Sequence, residues 1–189
     1  MCEASDLNRL PIFRFHPNAY DLDIFEVLDG VCEACEMPRA MRYKSSFYAM
    51  EDVEYICPWC IADGTAARVF DGEFSDAAGI EAIPEGTSFS VEVYEAESLE
   101  VATCTPSYVS WQQEEWRSHC GRPCAFLGDI GANDLPQYLT EPDFAADVNG
   151  GLGWDPASIL NDLERGGDFA GYLFRCLSCG AHRLHVDAC

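Results

Sequence analysis

The sequence predicts an α+β fold of small antiparallel sheets and short helices, arranged as two lobes. Three observations predict it. Eight of the 11 cysteines fall into four close pairs, two in each half of the chain. Short runs rich in aromatic and β-branched residues lie beside those pairs. An acidic stretch at 71–86, carrying Gly72, Gly79, Pro84 and Gly86, reads as the connection between the halves.

Residues 12–16 (Ile-Phe-Arg-Phe-His) and 24–28 (Ile-Phe-Glu-Val-Leu) read as short strands, and 40–48 and 52–56 as further extended segments. Pro58 permits a helix start, so 60–70 is expected to be helical, weakened at Gly64 by about 1 kcal/mol relative to Ala. Phe89, Val91 and Val93 alternate with polar residues, which predicts a strand. Ser110 and Gln113 have capping-box spacing, which predicts a helix carrying Trp111 and Trp116 to about residue 119. The clearest helix is 155–165: Asp155 is a good N-cap, Pro156 fits the first turn, and Ile159, Leu160 and Leu163 form one apolar face. Residues 171–186 read strand, tight turn, strand. Residues 1–80 are expected to form an N-terminal lobe and 81–189 a C-terminal lobe, with one compact domain as the alternative.

The cysteine pairs carry the chemistry. Cys32 and Cys35, Cys57 and Cys60, and Cys176 and Cys179 are C-x2-C; Cys120 and Cys124 are C-x3-C. Two intervening residues let the chain turn tightly, so both sulfurs can face one ion. Two such pairs complete the tetrahedral shell of structural zinc. Soft thiolates favour zinc over magnesium and calcium. An iron–sulfur cluster also accepts four cysteines, so composition leaves that open. Cys176-Leu-Ser-Cys-Gly180, set between strand-like runs, has the form of a zinc-ribbon knuckle, with Gly180 suited to a left-handed turn. Cys32-Glu-Ala-Cys35 reads as a second knuckle. Cys57-Pro-Trp-Cys60 lies where a strand passes into a helix, so the first quartet is treble-clef-like. Two zinc ions are expected: one on Cys32, Cys35, Cys57 and Cys60, the other on Cys120, Cys124, Cys176 and Cys179. They would staple the two lobes. His119 and His182 stand close enough in sequence to substitute, but cysteine is the expected ligand. Cys2, Cys104 and Cys189 lie outside the pairs. His16 reads as structural.

Two rival readings of the cysteines exist. They can be buried thiols, which four close pairs make a poor account. Alternatively, Cys57-Pro-Trp-Cys60 ahead of a helix has the form of a thioredoxin-type redox site, which leaves the other pairs unexplained. No Walker loop, G-x-S-x-G or H-E-x-x-H is present, and all-cysteine shells argue for closed, structural sites.

Hydrophobic residues at 48% and charged residues at 23% describe a globular chain rather than a disordered one. The formal charge of −22 repels phosphate backbones, so nucleic acid is not expected as a partner, whereas a basic protein partner fits. The start Met1-Cys2-Glu3-Ala4-Ser5-Asp6 lacks a basic, apolar leader, and no apolar run is long enough to span a bilayer. A cytoplasmic location is expected. There, thiols stay reduced and available for metal.

The chain resembles the CbrC-like family of uncharacterised bacterial proteins. The resemblance rests on Phe13-Arg-Phe-His-Pro17, Cys32-x2-Cys35, Cys57-Pro-Trp-Cys-Ile-Ala-Asp-Gly64 and Phe70-Asp-Gly-Glu-Phe74. It continues through Trp111-Gln112, Trp116, His119-Cys120, Cys124-Ala-Phe-Leu-Gly128 and Gly171-Tyr-Leu-Phe-Arg-Cys-Leu-Ser-Cys-Gly180, in order from about residue 11 to 185. Family members read as helical before the tryptophan segment and then as Arg-Thr-Pro-Gly. Here that stretch contains Gly86-Thr-Ser-Phe-Ser-Val, and the later turn is Cys104-Thr-Pro-Ser107. The resemblance implies no biochemical activity. It implies at most a part in envelope or stress tolerance, including tolerance to a colicin. The function expected is therefore that of a non-enzymatic zinc protein acting through a protein partner. The alternatives are a thiol oxidoreductase using Cys57 and Cys60, and a hydrolase in a cleft between the lobes for which no residues can be named.

Overall fold

A computed structural model describes residues 7–83, 88–151 and 153–189; Cys2 and part of the acidic connection lie outside them. The architecture is mixed α+β, with small antiparallel sheets and short helices. The chain divides into two compact units, Met1–Ala77 with Ser98–Val109 and Ala78–Glu97 with Ser110–Cys189. Among the described residues, no helix is long and apolar enough to cross a membrane.

The first unit is built on the hairpin β1 (Phe25–Val31) and β2 (Pro38–Tyr43). The helices α1 (Pro58–Ala62) and α2 (Thr65–Phe70) follow. Gly64, at φ 71°, breaks what the sequence suggests as one helix. A side chain there would meet the Cys104 sulfur at 3.1 Å. Phe13, Phe25, Tyr43 and Phe74 pack with Cys32, Cys57 and Cys60 in one core. Residues 12–16, expected as a strand, form turns instead, since Phe13 O accepts from His16 N–H at 3.1 Å. Segment 52–56 contributes only a bridge from Ile56 to Tyr43.

The helix α3 (Val91–Cys104) replaces the strand expected around 89–93. The alternation of Phe89, Val91 and Val93 is misleading because these residues are exposed rather than facing a core. Glu92, Glu95, Ala96, Leu99 and Glu100 supply helix propensity. Residues 98–109 complete the first unit: Phe74 N–H donates to Ala102 O at 2.7 Å, and Ser107 N–H to the Tyr43 hydroxyl at 3.1 Å.

His16 is fully buried, its Nδ1 2.8 Å from Pro106 O. Burial lowers its pKa from 6.5 to about 4, against the pull of that hydrogen bond. The unfolded chain therefore takes up the proton first as the pH falls. The stability this neutral imidazole contributes is complete above pH 6.5 and is lost toward pH 4. The expected loss is about 3 kcal/mol, seen as a slope of unfolding free energy against pH that His16→Gln flattens. An unchanged slope in that variant contradicts the assignment.

The second unit holds the hairpin β3 (Ser118–His119) and β4 (Arg122–Pro123), then the sheet of β5 (Ala125–Ile130), β6 (Phe169–Arg175) and β7 (His182–Ala188), with β6 central. The helices α4 (Pro142–Ala146) and α5 (Pro156–Asp162) lie between β5 and β6 in sequence. Ile130, Leu135, Phe144, Val148, Ile159, Leu184 and Val186 form its core. The expected helix at 155–165 is α5, ending earlier because Leu163 is extended and its carbonyl accepts from Ala132 N–H at 2.8 Å. The expected helix at 110–119 is absent. Trp116 pairs as an extended residue with Gly79 and Glu81, and its buried indole N–H donates to Cys124 O at 2.7 Å. Those bonds outweigh the weak capping signal.

Candidate metal centres

In the first unit, Cys32 follows β1 directly and Cys35 lies in the turn to β2. Cys32 N–H donates to Met37 O at 3.0 Å, Glu36 N–H to Cys32 O at 2.7 Å, and Glu36 takes the left-handed φ of 56°. Cys57 and Cys60 come from the start of α1, where Cys57 is the extended cap and Pro58 occupies the first turn. The four Sγ atoms lie within 4.8 Å of one another. Those of Cys32 and Cys60 are 3.8 Å apart. A tetrahedron of sulfurs at zinc–thiolate bond length has edges of about 3.8 Å, whereas a disulfide requires about 2.05 Å. The donor set therefore fits a soft tetrahedral ion.

Electrostatics make the same point. The Cys57 thiol hydrogen-bonds the Cys32 sulfur and holds it down at about 4, while that bond and burial push Cys57 far up. Burial pushes Cys60 up to about 12. A divalent ion at the centre would compensate the charge that four thiolates bring together.

The second unit repeats the first knuckle bond for bond. Cys176 N–H donates to Ala181 O at 2.8 Å, Gly180 N–H to Cys176 O at 3.0 Å, and Gly180 has φ 80°. Ser178 N–H points at Cys176 Sγ at 3.4 Å. Facing it is the β3–β4 hairpin, whose two-residue turn is Cys120 (φ 53°) and Gly121 (φ 69°). Two consecutive left-handed residues make the twist-matched hairpin turn. This turn carries Cys120, and the strand before it carries His119.

The residues brought together are His119, Cys120, Cys176 and Cys179, again with ligand atoms within 4.8 Å. His119 Nδ1 is 3.2 Å from Cys179 Sγ and 3.3 Å from Cys120 Sγ. Its Nε2 is 3.1 Å from Asp143 Oδ2. A carboxylate on the far nitrogen fixes the tautomer that leaves Nδ1 free to bind metal. Cys124, expected in this set, is not among the gathered ligands. It lies past the return strand, opposite Arg117, whose carbonyl accepts its N–H at 2.8 Å, and its thiol is fully buried. The reason is local: a two-residue hairpin turn separates Cys120 from Cys124 along a ladder, where a knuckle would fold both toward one ion. Burial drives the Cys124 thiol upward as well. His182 also lies outside the set, its Nδ1 2.8 Å from Glu141 Oε1. Cys104 and Cys189 join neither centre.

The centres differ in exposure. Three of the first four ligands are buried; in the second, Cys176 is buried, His119 and Cys120 are partly covered and Cys179 is exposed. Burial raises Cys120 to about 12, while Cys176, despite burial, is lowered to about 7 by hydrogen bonds from Cys179, His119 and Ser178. Behind the second centre, Arg183 binds Asp147 through Nε at 2.8 Å and Nη2 at 2.9 Å. It also binds Glu81 through both terminal nitrogens at 3.1 Å and Ser118 O at 2.6 Å. This network anchors the β3–β4 hairpin that carries His119 and Cys120.

The ligand exchange is directly measurable. His119→Ala should lower bound metal by one equivalent per chain, whereas Cys124→Ser should leave it unchanged, both read by elemental analysis of folded protein. Metal lost in Cys124→Ser and retained in His119→Ala would restore the four-cysteine set.

Fold and donor sets together define a cysteine-rich α+β protein with two places able to hold metal ions. The chain belongs to the uncharacterised protein family UPF0167, whose family model matches residues 10–188. Among its relatives are UPF0167 protein Mb2317 of Mycobacterium bovis, 39% identical over 98% of this chain and 97% of the relative, and UPF0167 protein PA1536 of Pseudomonas aeruginosa, 33% identical over 94% and 97%. No solved structure matches.

Proposed function

We propose that this is a zinc protein without a reaction of its own, in which two ions hold two units in shape and the folded surface acts on a protein partner in a reducing, cytoplasmic setting. The observation that carries it is the buried gathering of Cys32, Cys35, Cys57 and Cys60 at tetrahedral spacing. The thiol oxidoreductase alternative is disfavoured by the same geometry. A redox pair works as two thiols that close on each other, whereas Cys57 and Cys60 both sit with Cys32 and Cys35 in one four-thiol cluster at metal-ligand spacing. The charge of −22 favours a basic partner. Toxin tolerance, as the CbrC-like resemblance implies, is one setting in which such capture would act.

The test has two parts. Protein purified under reducing conditions should carry two zinc equivalents and show no insulin-reducing turnover that Cys57→Ser abolishes. Association with a basic toxin domain should weaken as salt rises, the Debye length being about 8 Å at physiological ionic strength. Fewer than one zinc equivalent overturns the metal reading. No association at low salt overturns direct capture.

A further inference from the structure

The strand β7 carries polar side chains on one face at alternating positions, Arg183, His185 and Asp187, while Leu184 and Val186 enter the core on the other. Arg183 is consumed by the network behind the second metal centre. His185 and Asp187 instead line a cavity of about 310 Å³ together with Gln112, Glu115, Arg117 and Trp154. That volume lies in the ordinary range for small-molecule sites.

Two features mark this cavity as built for a ligand. First, His185 is 6% exposed, and among the described residues neither ring nitrogen has a hydrogen-bond partner. The Glu115 Oε2 atom stands 3.6 Å from Nδ1, beyond hydrogen-bonding distance. A buried imidazole stripped of water and left unpaired costs free energy that folding alone does not explain. Its ring lies against Tyr172, centroids 5.7 Å apart and planes 20° from parallel, so its position is fixed. Second, Asp187 is 4% exposed and is held in place from behind, Oδ2 accepting from Gln112 N–H at 2.8 Å and Oδ1 from Ala188 N–H at 2.7 Å.

The charge balance selects the ligand. Arg117 is the cation at the cavity wall, and Glu81 at 3.2 Å, Asp147 at 3.4 Å and Glu115 at 3.9 Å all stand against it. Arg183 shares Glu81 and Asp147, so two arginines face the four carboxylates of Glu81, Glu115, Asp147 and Asp187, and the balance is negative. Burial, with Arg117 beside it, holds the His185 imidazole below its usual range against the pull of Glu115 and Asp187, so the ring is a neutral acceptor that does not repel a cation. Trp154 adds an aromatic ring to the lining, the kind of surface on which cations settle.

We propose that the His185, Asp187, Glu115 and Trp154 cavity binds a small organic cation, an ammonium or guanidinium compound, with Glu115 and Asp187 balancing its charge and His185 accepting one of its N–H bonds. This goes beyond the zinc reading and does not depend on it.

The test uses the full chain as purified under reducing conditions, at constant ionic strength, titrated with n-butylammonium and with methylguanidinium, and with n-butanol and acetate as controls. Tryptophan fluorescence and the His185 imidazole NMR signals are followed. Saturable binding of a cation is expected, with the His185 signals moving. Glu115→Gln and Asp187→Asn should each weaken it about tenfold or more, as the loss of one charge-assisted contact gives. Glu115 is 61% exposed in its side chain, so its amide variant leaves folding undisturbed even where Asp187→Asn does not. Zinc content and melting of each variant report folding separately. Failure of either cation to saturate, equal binding of n-butanol, preference for acetate, or binding indifferent to Glu115→Gln overturns the proposal, whatever the metal analysis gives.

Discussion

Stripping metal from the first centre should unfold the first unit. Cys32, Cys57 and Cys60 are core residues, packed with Phe13, Phe25, Tyr43, Ile61 and Phe74. The helix that brings Cys57 and Cys60 has five residues, too few to persist alone in water. Structural zinc contributes on the order of 10 kcal/mol in small modules, comparable to the whole stability of a typical domain at ~5–15 kcal/mol. Cys57→Ser should therefore lose one zinc equivalent and the cooperative melt of this unit, and a strong chelator should reproduce the effect on the wild type. Coincident melts before and after confirmed metal removal would show that packing alone holds the unit.

The second large effect is expected at Asp147. It is 3% exposed and accepts from Arg183 twice, from Arg117 at 3.4 Å and from Leu184 N–H at 2.9 Å. Asp147→Ala leaves Arg183 and Arg117 sharing Glu81, with only the exposed Glu115 at 3.9 Å as a further partner for Arg117, and removes the acceptor of Leu184 N–H. Breaking a buried pair in this way costs about 3–5 kcal/mol. Asp147→Asn keeps an acceptor for Leu184 N–H and should cost less. Denaturant melts of the two variants measure the difference. Because Arg183 also holds Ser118 O, the alanine variant should weaken metal retention at His119 and Cys120. A change below 1 kcal/mol in Asp147→Ala, read against that range, would mean the network relaxes around the gap.

The parts legible in the sequence are those whose signal is local. Cys32-x2-Cys35 and Cys176-x2-Cys179 read as knuckles because two residues and a left-handed successor determine the turn. Asp155-Pro156 likewise announces the start of α5. The missed parts depend on distant partners. Nothing near Trp116 tells that it pairs with Gly79 and Glu81, so a capping pattern wrongly suggests a helix. Cys124 matches a ligand spacing, but its neighbour across the hairpin is Arg117. His119 is recognisable as a ligand candidate from its place beside Cys120, and the carboxylate that orients it comes from Asp143 on another element. The cavity around His185 has no sequence signature, since its lining comes from 112–117, Trp154 and β7.

The composition of the first unit bears on how the chain is made. Its ligands Cys32 through Cys60 emerge from the ribosome well before Ser98–Val109, the segment that completes the unit. Until then Phe74 N–H lacks the Ala102 carbonyl, the Tyr43 hydroxyl lacks Ser107, and His16 lacks Pro106. Metal capture can thus precede closure during synthesis, with the ion holding a half-built hairpin and helix together while the remaining residues are translated. A nascent chain stalled before Ser98 would already contain every cysteine of its first candidate centre, yet would lack the contacts that Ala102, Ser107 and Pro106 make with Phe74, Tyr43 and His16 in the finished unit.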